Sequence, residues 1–136
     1  MKSDIGHLLI HINPQNIPFY RDLFTFLGWT ICLAEPDMLG VANERGGSLW
    51  FGAPIKDLPN DYDGIGMNHL AIAVTTQADV DAVVAFLKEH KITPLFETPR
   101  HRPDFCSSPD ETYYQVMFAS PDRILLEVVY TGARTK

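Results

Sequence analysis

The chain has 136 residues, with 11 Lys and Arg against 17 Asp and Glu for a formal net charge of −6, a mass of 15.3 kDa and a pI near 5.2. One domain of this size buries a core without staples, and 46 % hydrophobic against 21 % charged residues argues against disorder. The acidic balance disfavours nucleic acid, and no run reaches the roughly 18 apolar residues of a membrane span.

The N-terminus carries no apolar signal segment, and two cysteines, Cys32 and Cys106, make neither a disulfide framework nor a zinc knuckle. A reduced, cytoplasmic setting is expected. Residues 6–12, Gly-His-Leu-Leu-Ile-His-Ile, read as a strand, rich in Leu and Ile and too short for a typical helix. A helix follows over about 17–27. It has Phe19, Leu23, Phe24 and Leu27 at helical spacing, Pro18 in its first turn and Gly28 as its stop. Short strands are predicted near 29–34, 38–42 and 48–52. The stretch 53–66, rich in Pro, Asn, Asp and Gly, reads as a polar linker.

The pattern then repeats. Residues 69–74, His-Leu-Ala-Ile-Ala-Val, again carry a leading His, then Leu, a spacer and Ile, about 60 residues downstream. A helix is predicted over about 78–90, with Val80, Val83, Val84 and Leu87 on one face and Thr76 as N-cap. Strands are predicted near 92–97, 112–119 and 124–130. The last two form a hairpin across Ser120–Arg123, with Pro121 at its favoured turn position. Residues 99–111 form a long polar loop, the kind that is usually functional or disordered. The order β-α-β-β-β occurs twice, and consecutive strands without intervening helices pair antiparallel. The expectation is an α+β domain over 1–136, built of two modules at about 5–53 and 67–131.

Strand alternation assigns faces. His7, Leu9 and His11 oppose Leu8, Ile10 and Ile12; His69, Ala71 and Ala73 oppose Leu70, Ile72 and Val74; Leu125, Glu127 and Val129 oppose Leu126 and Val128. The aliphatic faces suit helix packing. The other faces carry His7, His69 and Glu127, and a carboxylate inside Leu-Leu-Glu-Val-Val is costly to bury unpaired. Two His and one carboxylate with open positions form a known facial metal site.

The chain resembles the vicinal oxygen chelate superfamily of glyoxalase I, extradiol dioxygenases, fosfomycin-resistance and bleomycin-resistance proteins. The resemblance rests on His-Leu-Leu-Ile-His-Ile (7–12), Pro-Phe-Tyr-Arg-Asp-Leu-Phe-Thr-Phe-Leu-Gly-Trp (18–29), Asn-His-Leu-Ala-Ile-Ala-Val (68–74) and the segment from Tyr113 to Val129. It covers nearly the whole chain, and the closing segment is its most specific part. It implies paired βαβββ modules whose curled mixed sheets form a cleft around a divalent metal, with the metal positions falling on His7, His69 and Glu127. The identity of the ion, Zn, Fe, Mn, Ni or Co, stays open. Three features depart from the family pattern. Trp50 stands where glyoxalase I has a fourth ligand, and Trp offers no lone pair. Met117 stands where the extradiol and fosfomycin branches place a Tyr. Arg123 replaces the turn Gly.

Alternation supplies the remaining cleft candidates. With a three-residue hairpin loop at 121–123, Met117 lies opposite Glu127 and shares its face with Tyr113 and Gln115; a two-residue loop would present Val116 instead. Trp50 is a candidate apolar wall and His11 a candidate general base. His101, Arg102 and Phe105 sit on the long loop, where the first two suit an anionic substrate. Cys106 receives no role. The function so implied is a small metal-dependent enzyme, a lyase, isomerase or dioxygenase, acting on an oxygen-rich small molecule. The alternative is a metal-free sequestering protein of the bleomycin-resistance type. The expected partners are a small-molecule substrate and a second copy in a homodimer, with module pairing within or between chains left open.

Overall fold

The alternation in residues 7–11 and 69–74 is realised as two strands that each open a four-stranded mixed sheet with one long helix. The computed structural model describes residues 1–135. The chain divides into two units, Met1–Pro59 and Asn60 onward. No helix among the described residues is long and apolar enough to cross a membrane.

The first unit holds β1 (His7–His11), α1 (Ile17–Phe26), β2 (Thr30–Glu35), β3 (Met38–Ala42) and β4 (Ser48–Gly52). Its strand order is β1-β4-β3-β2, with β1 and β4 parallel and the rest antiparallel. Helix α1 buries Ile17, Tyr20, Leu23 and Phe24. Tyr20 stacks on Phe51 with centroids 4.6 Å apart. The helix ends where Gly28 takes φ +86°. Gly28 N–H donates to Thr25 and Trp29 N–H to Phe24, while the Phe24 and Trp29 rings meet edge-on. These are the two bonds and the apolar contact of a Schellman stop.

The second unit holds β5 (His69–Val74), α2 (Gln77–Glu89), β6 (Leu95–His101), β7 (Glu111–Ala119) and β8 (Leu125–Ala133). Its order, β5-β8-β7-β6, repeats the first, with β5 parallel to β8. Thr76 caps α2 as expected, in a reciprocal capping box with Asp79. The buried stripe is Val80, Val83, Phe86 and Leu87, so Phe86 takes the inward place expected of Val84. Lys91, at φ +59°, ends the helix in the left-handed conformation that glycine usually supplies.

The β7–β8 hairpin has the three-residue loop. Ala119 pairs with Leu125 and Met117 with Glu127, and Arg123 sits at φ +59°. Ser120 holds the loop, its Oγ accepting from the N–H groups of Asp122 and Ile124. The largest departure from the sequence reading is β6. It lies at 95–101 rather than 92–97, so the connection to β7 is shorter than the 99–111 loop expected. Its pairing jumps from Leu95↔Met117 to Arg100↔Gln115. Five steps of β6 thus span two steps of β7. Phe96 (φ +55°) and Glu97 (φ +59°) make the excursion. Buried Thr98 pins it: its Oγ1 donates to Leu95 O and accepts from Met117 N–H.

Candidate metal and substrate site

In the second unit the pleat sends His69, Ala71 and Ala73 to the face of the sheet opposite α2. Through the cross-strand register, Leu125, Glu127 and Val129 share that face, with Met117, Gln115 and Tyr113 beyond them and Arg100 at the outer strand. This is the face on which β8 carries its carboxylate.

Glu127 is 2 % exposed and fully engaged. Its Oε2 lies 3.0 Å from His69 Nε2, and its Oε1 accepts from the Tyr113 hydroxyl at 2.7 Å. The other nitrogen of His69, Nδ1, is 2.7 Å from Asn68 Oδ1. The Asn68 amide orientation is fixed because its Nδ2 donates to Tyr62 O at 3.0 Å. Oδ1 is therefore an acceptor, and the network assigns the proton to His69 Nδ1. Nε2 then faces a carboxylate oxygen, and two lone pairs at 3.0 Å need a positive charge between them. A proton satisfies this, and so does a metal ion. Two donors each about 2.1 Å from one ion and at right angles to each other lie about 3.0 Å apart, so the donor pair fits an octahedral metal edge.

Burial first, then the hydrogen bond to Glu127 and that carboxylate's charge, push the Tyr113 phenol up to about 12, against a smaller opposing pull from Arg102. Tyr113 is therefore a neutral donor at physiological pH. Arg102 and Phe105 complete this end of the face. The Arg102 guanidinium lies 4.6 Å from the Phe105 ring centroid, and Phe105 meets Tyr113 edge-on at 5.1 Å. Phe105 remains 55 % exposed.

His101 is not with them. Strand β6 runs one residue beyond Arg100, so alternation turns His101 to the α2 side. There it pairs with Tyr114, and its Nδ1 is 2.6 Å from Thr112 Oγ1. The expectation that His101 and Arg102 both flank a ligand treated 99–111 as loop; the added strand residues separate them. Tyr114, on the α2 side, donates to Asp81 at 2.7 Å.

In the first unit, the face opposite α1 carries His7, Leu9 and His11 on β1 with Ser48, Trp50 and Gly52 beside them. His11 is four residues along from His7, roughly 13 Å at strand rise. The Trp50 indole donates to Ser48 Oγ at 3.1 Å and covers Gly40, where a Cβ would lie 2.6 Å from its ring. A groove of about 460 Å³ in this unit, lined in part by Pro14, Arg21, Glu35 and Leu39, holds none of the candidate residues. Among the described residues no group of three or more His, Cys, Asp or Glu is placed to share a metal ion.

Sequence reasoning missed Asn68 and Arg100. The Asn-His dipeptide at the mouth of β5 was the available signal for Asn68. Arg100 had none, because its face depends on the excursion in β6.

Two βαβββ sheets in this order define the glyoxalase/bleomycin-resistance/dioxygenase fold, and the chain has that fold. No family model matches the chain, and no curated protein matches it by sequence. Among solved structures it is similar to a provisionally named glyoxalase from Bacillus halodurans, with TM-score 0.77 and 23 % identity over 93 % of this chain and 94 % of that one. A glyoxalase/dioxygenase from Nostoc punctiforme follows, with TM-score 0.73 and 16 % identity over 95 % and 91 %. A mutant fosfomycin resistance protein from Listeria monocytogenes, complexed with Mn(II) and a dihydroxypropylphosphonic acid, matches at TM-score 0.65 and 15 % identity over 95 % and 90 %.

Proposed function

We propose that the protein is a metal-dependent enzyme of the glyoxalase/dioxygenase type, a lyase, isomerase or dioxygenase acting on a small oxygen-rich molecule. The observation that carries this reading is the His69–Glu127 pair at 3.0 Å, buried on the carboxylate side and held on both flanks by Asn68 and Tyr113. Orienting partners of this kind accompany metal ligands and fix their tautomer. His7, the first unit's equivalent of His69, is the proposed third ligand. The ion is Zn, Fe, Mn, Ni or Co. When bound, it supplies Lewis-acid stabilisation to a developing oxyanion on the substrate.

The chain's own groups do the rest. Asn68 keeps the His69 proton on Nδ1 and Nε2 available. Tyr113 occupies one carboxylate oxygen and leaves the other for the ion. Trp50 and Met117 are the proposed apolar walls, Gln115, Arg102 and Phe105 the proposed substrate contacts, and His11 the proposed base. A homodimer of cytoplasmic location completes the proposal, with the ligand set drawn from one chain or from two. A second reading, ligand sequestration without a metal, draws support from the exposed Phe105 edge, which suits a planar ligand.

Elemental analysis and calorimetric metal titration of purified protein test the primary reading. Stoichiometric binding that disappears in His69→Ala and Glu127→Gln is expected. Tight binding that survives both substitutions would place the metal elsewhere, and no binding at all would favour sequestration.

A further inference from the structure

We infer that Arg100 anchors an oxyanion on the helix-free face of the second sheet, so that the substrate carries a carboxylate, phosphate or phosphonate group. The inference deepens the proposed function and rests on it for treating this face as a substrate surface; the binding it predicts does not need the metal.

Three observations converge. First, the Nε of Arg100 is buried and has no hydrogen-bond partner among the described residues. A buried guanidinium N–H without an acceptor is costly, and an incoming oxyanion removes that cost. Its neighbour Nη1 has only a long contact of 3.6 Å to Glu97 Oε2, whose side chain is 88 % exposed. So solvated an ion pair is worth little and yields readily to a better acceptor.

Second, Arg100 pairs across the ladder with Gln115, which is 3 % exposed. Gln115 brings amide N–H donors to the same face, on the strand next to that of Glu127. Arg102, two residues on, adds a second guanidinium to that face. Its guanidinium lies 4.6 Å from the Phe105 ring centroid.

Third, the backbone goes to some expense to aim Arg100 this way. The excursion over 96–99 holds Phe96 and Glu97, neither a glycine, at positive φ. Left-handed conformations of such residues cost of the order of 1 kcal/mol each and concentrate at functional sites. Excursions of this kind re-aim the side chain that follows them. The acidic residue on the same face of β7, Glu111, is turned to the loop, where its Oε2 accepts from Ser107 N–H.

The test uses inorganic phosphate as the probe, at constant ionic strength with chloride as the control. The side-chain Nε–H resonance of Arg100, assigned by its loss in Arg100→Gln, is followed through the titration. The titration is run on chelator-treated protein and repeated after manganese loading. The expected result is a saturable shift of this resonance in both preparations. Calorimetric titration with phosphate, which does not need that resonance, compares the variants: Arg100→Gln should weaken binding at least tenfold, with Arg100→Lys intermediate because it keeps the charge and loses the fork.

Phosphate that binds only after manganese loading, with equal affinity in both Arg100 variants, would overturn the inference and leave the metal reading intact. Arg100-dependent binding in a protein that takes up no manganese would do the reverse. A shift that never saturates, or that chloride reproduces, means an adventitious ion only and also overturns it. The Lys variant keeps the test decisive should the Gln variant fail to fold.

Discussion

Trp50 stands in the first sheet where Glu127 stands in the second. Trp50 pairs with Leu9 of β1 and Gly40 of β3; Glu127 pairs with Ala71 of β5 and Met117 of β7. One repeat therefore presents an indole, which has no lone pair for a metal, at the place where the other presents a carboxylate. Gly40 admits the indole, since any side chain there would collide with it.

Asn68→Ala tests whether His69 is held for a metal. Loss of an orienting partner typically costs 10–100-fold in metal affinity, and that range is expected in a manganese or zinc titration. Folding stability should change by no more than about 1 kcal/mol, because Asn68 lies at the surface. Metal affinity equal to that of the parent protein would mean that Asn68 does not orient a ligand.

Mixing His7→Ala with Glu127→Ala chains asks which chain supplies His7. In a dimer whose modules pair between chains, the mixed species regains one complete ligand set of two. Where pairing is internal, every set lacks a member. Recovery of about a quarter of the parent metal content in a statistically refolded equimolar mixture, or about half in the isolated mixed dimer, is the signature of the first arrangement, and none is the signature of the second. A protein that sediments only as a 15.3 kDa species would refute the dimer itself.

Tyr113→Phe removes the donor to Glu127 Oε1 and leaves a buried carboxylate oxygen unpaired. A loss of about 1–3 kcal/mol is expected in urea denaturation at pH 7. The parent protein should also lose stability as pH rises from about 10 to 12. The phenols of Tyr113 and Tyr114 both lie near 12 in the fold against 10 in the unfolded chain. The folded state then holds more protons in that window, so its advantage is complete below pH 10 and declines above it. Both groups are only half-buried, so solvent screening keeps the decline modest. The double Phe variant should flatten it, and a slope unchanged by both substitutions would assign the effect to other groups.

Arg123→Gly should stabilise the protein by about 1 kcal/mol, because φ +59° costs Arg what it does not cost Gly. The Asn60 amide that donates to the Arg123 carbonyl at 2.9 Å is indifferent to the side chain. Thermal denaturation showing no gain would mean that the Arg side chain compensates.

The repeat of His-Leu-x-Ile, the Thr76 cap and the Gly28 stop were legible, because each is written in short local patterns, and the hairpin register was legible up to the choice of a three- or two-residue loop, which the structure decides for Met117 opposite Glu127. What escaped reading depends on contacts distant in sequence or on conformations the residue type disfavours. Lys91, Phe96 and Glu97 adopt left-handed backbone without being Gly or Asn. Thr98 looks like an ordinary loop residue until Met117 lies across from it. The Tyr113–Glu127 bond runs along the face between residues that are not opposite one another, so no pairing rule nominates it. His101 and Arg102 looked interchangeable on a loop; a strand makes them opposites.

The excursion in β6 makes the facing of Arg100, His101 and Arg102 depend on the length of the segment before them rather than on its composition. Deleting or inserting one residue between Phe96 and Pro99, with the β7 pairing kept, would exchange the two sides of everything from Arg100 to Arg102. The imidazole of His101 would then look out where two guanidiniums do now. The His69–Glu127 pair, on strands the excursion does not touch, would stay as it is. On the proposed function, related chains that share the His69–Glu127 pair but differ by one residue at this point should therefore divide by the charge of the small molecules they accept.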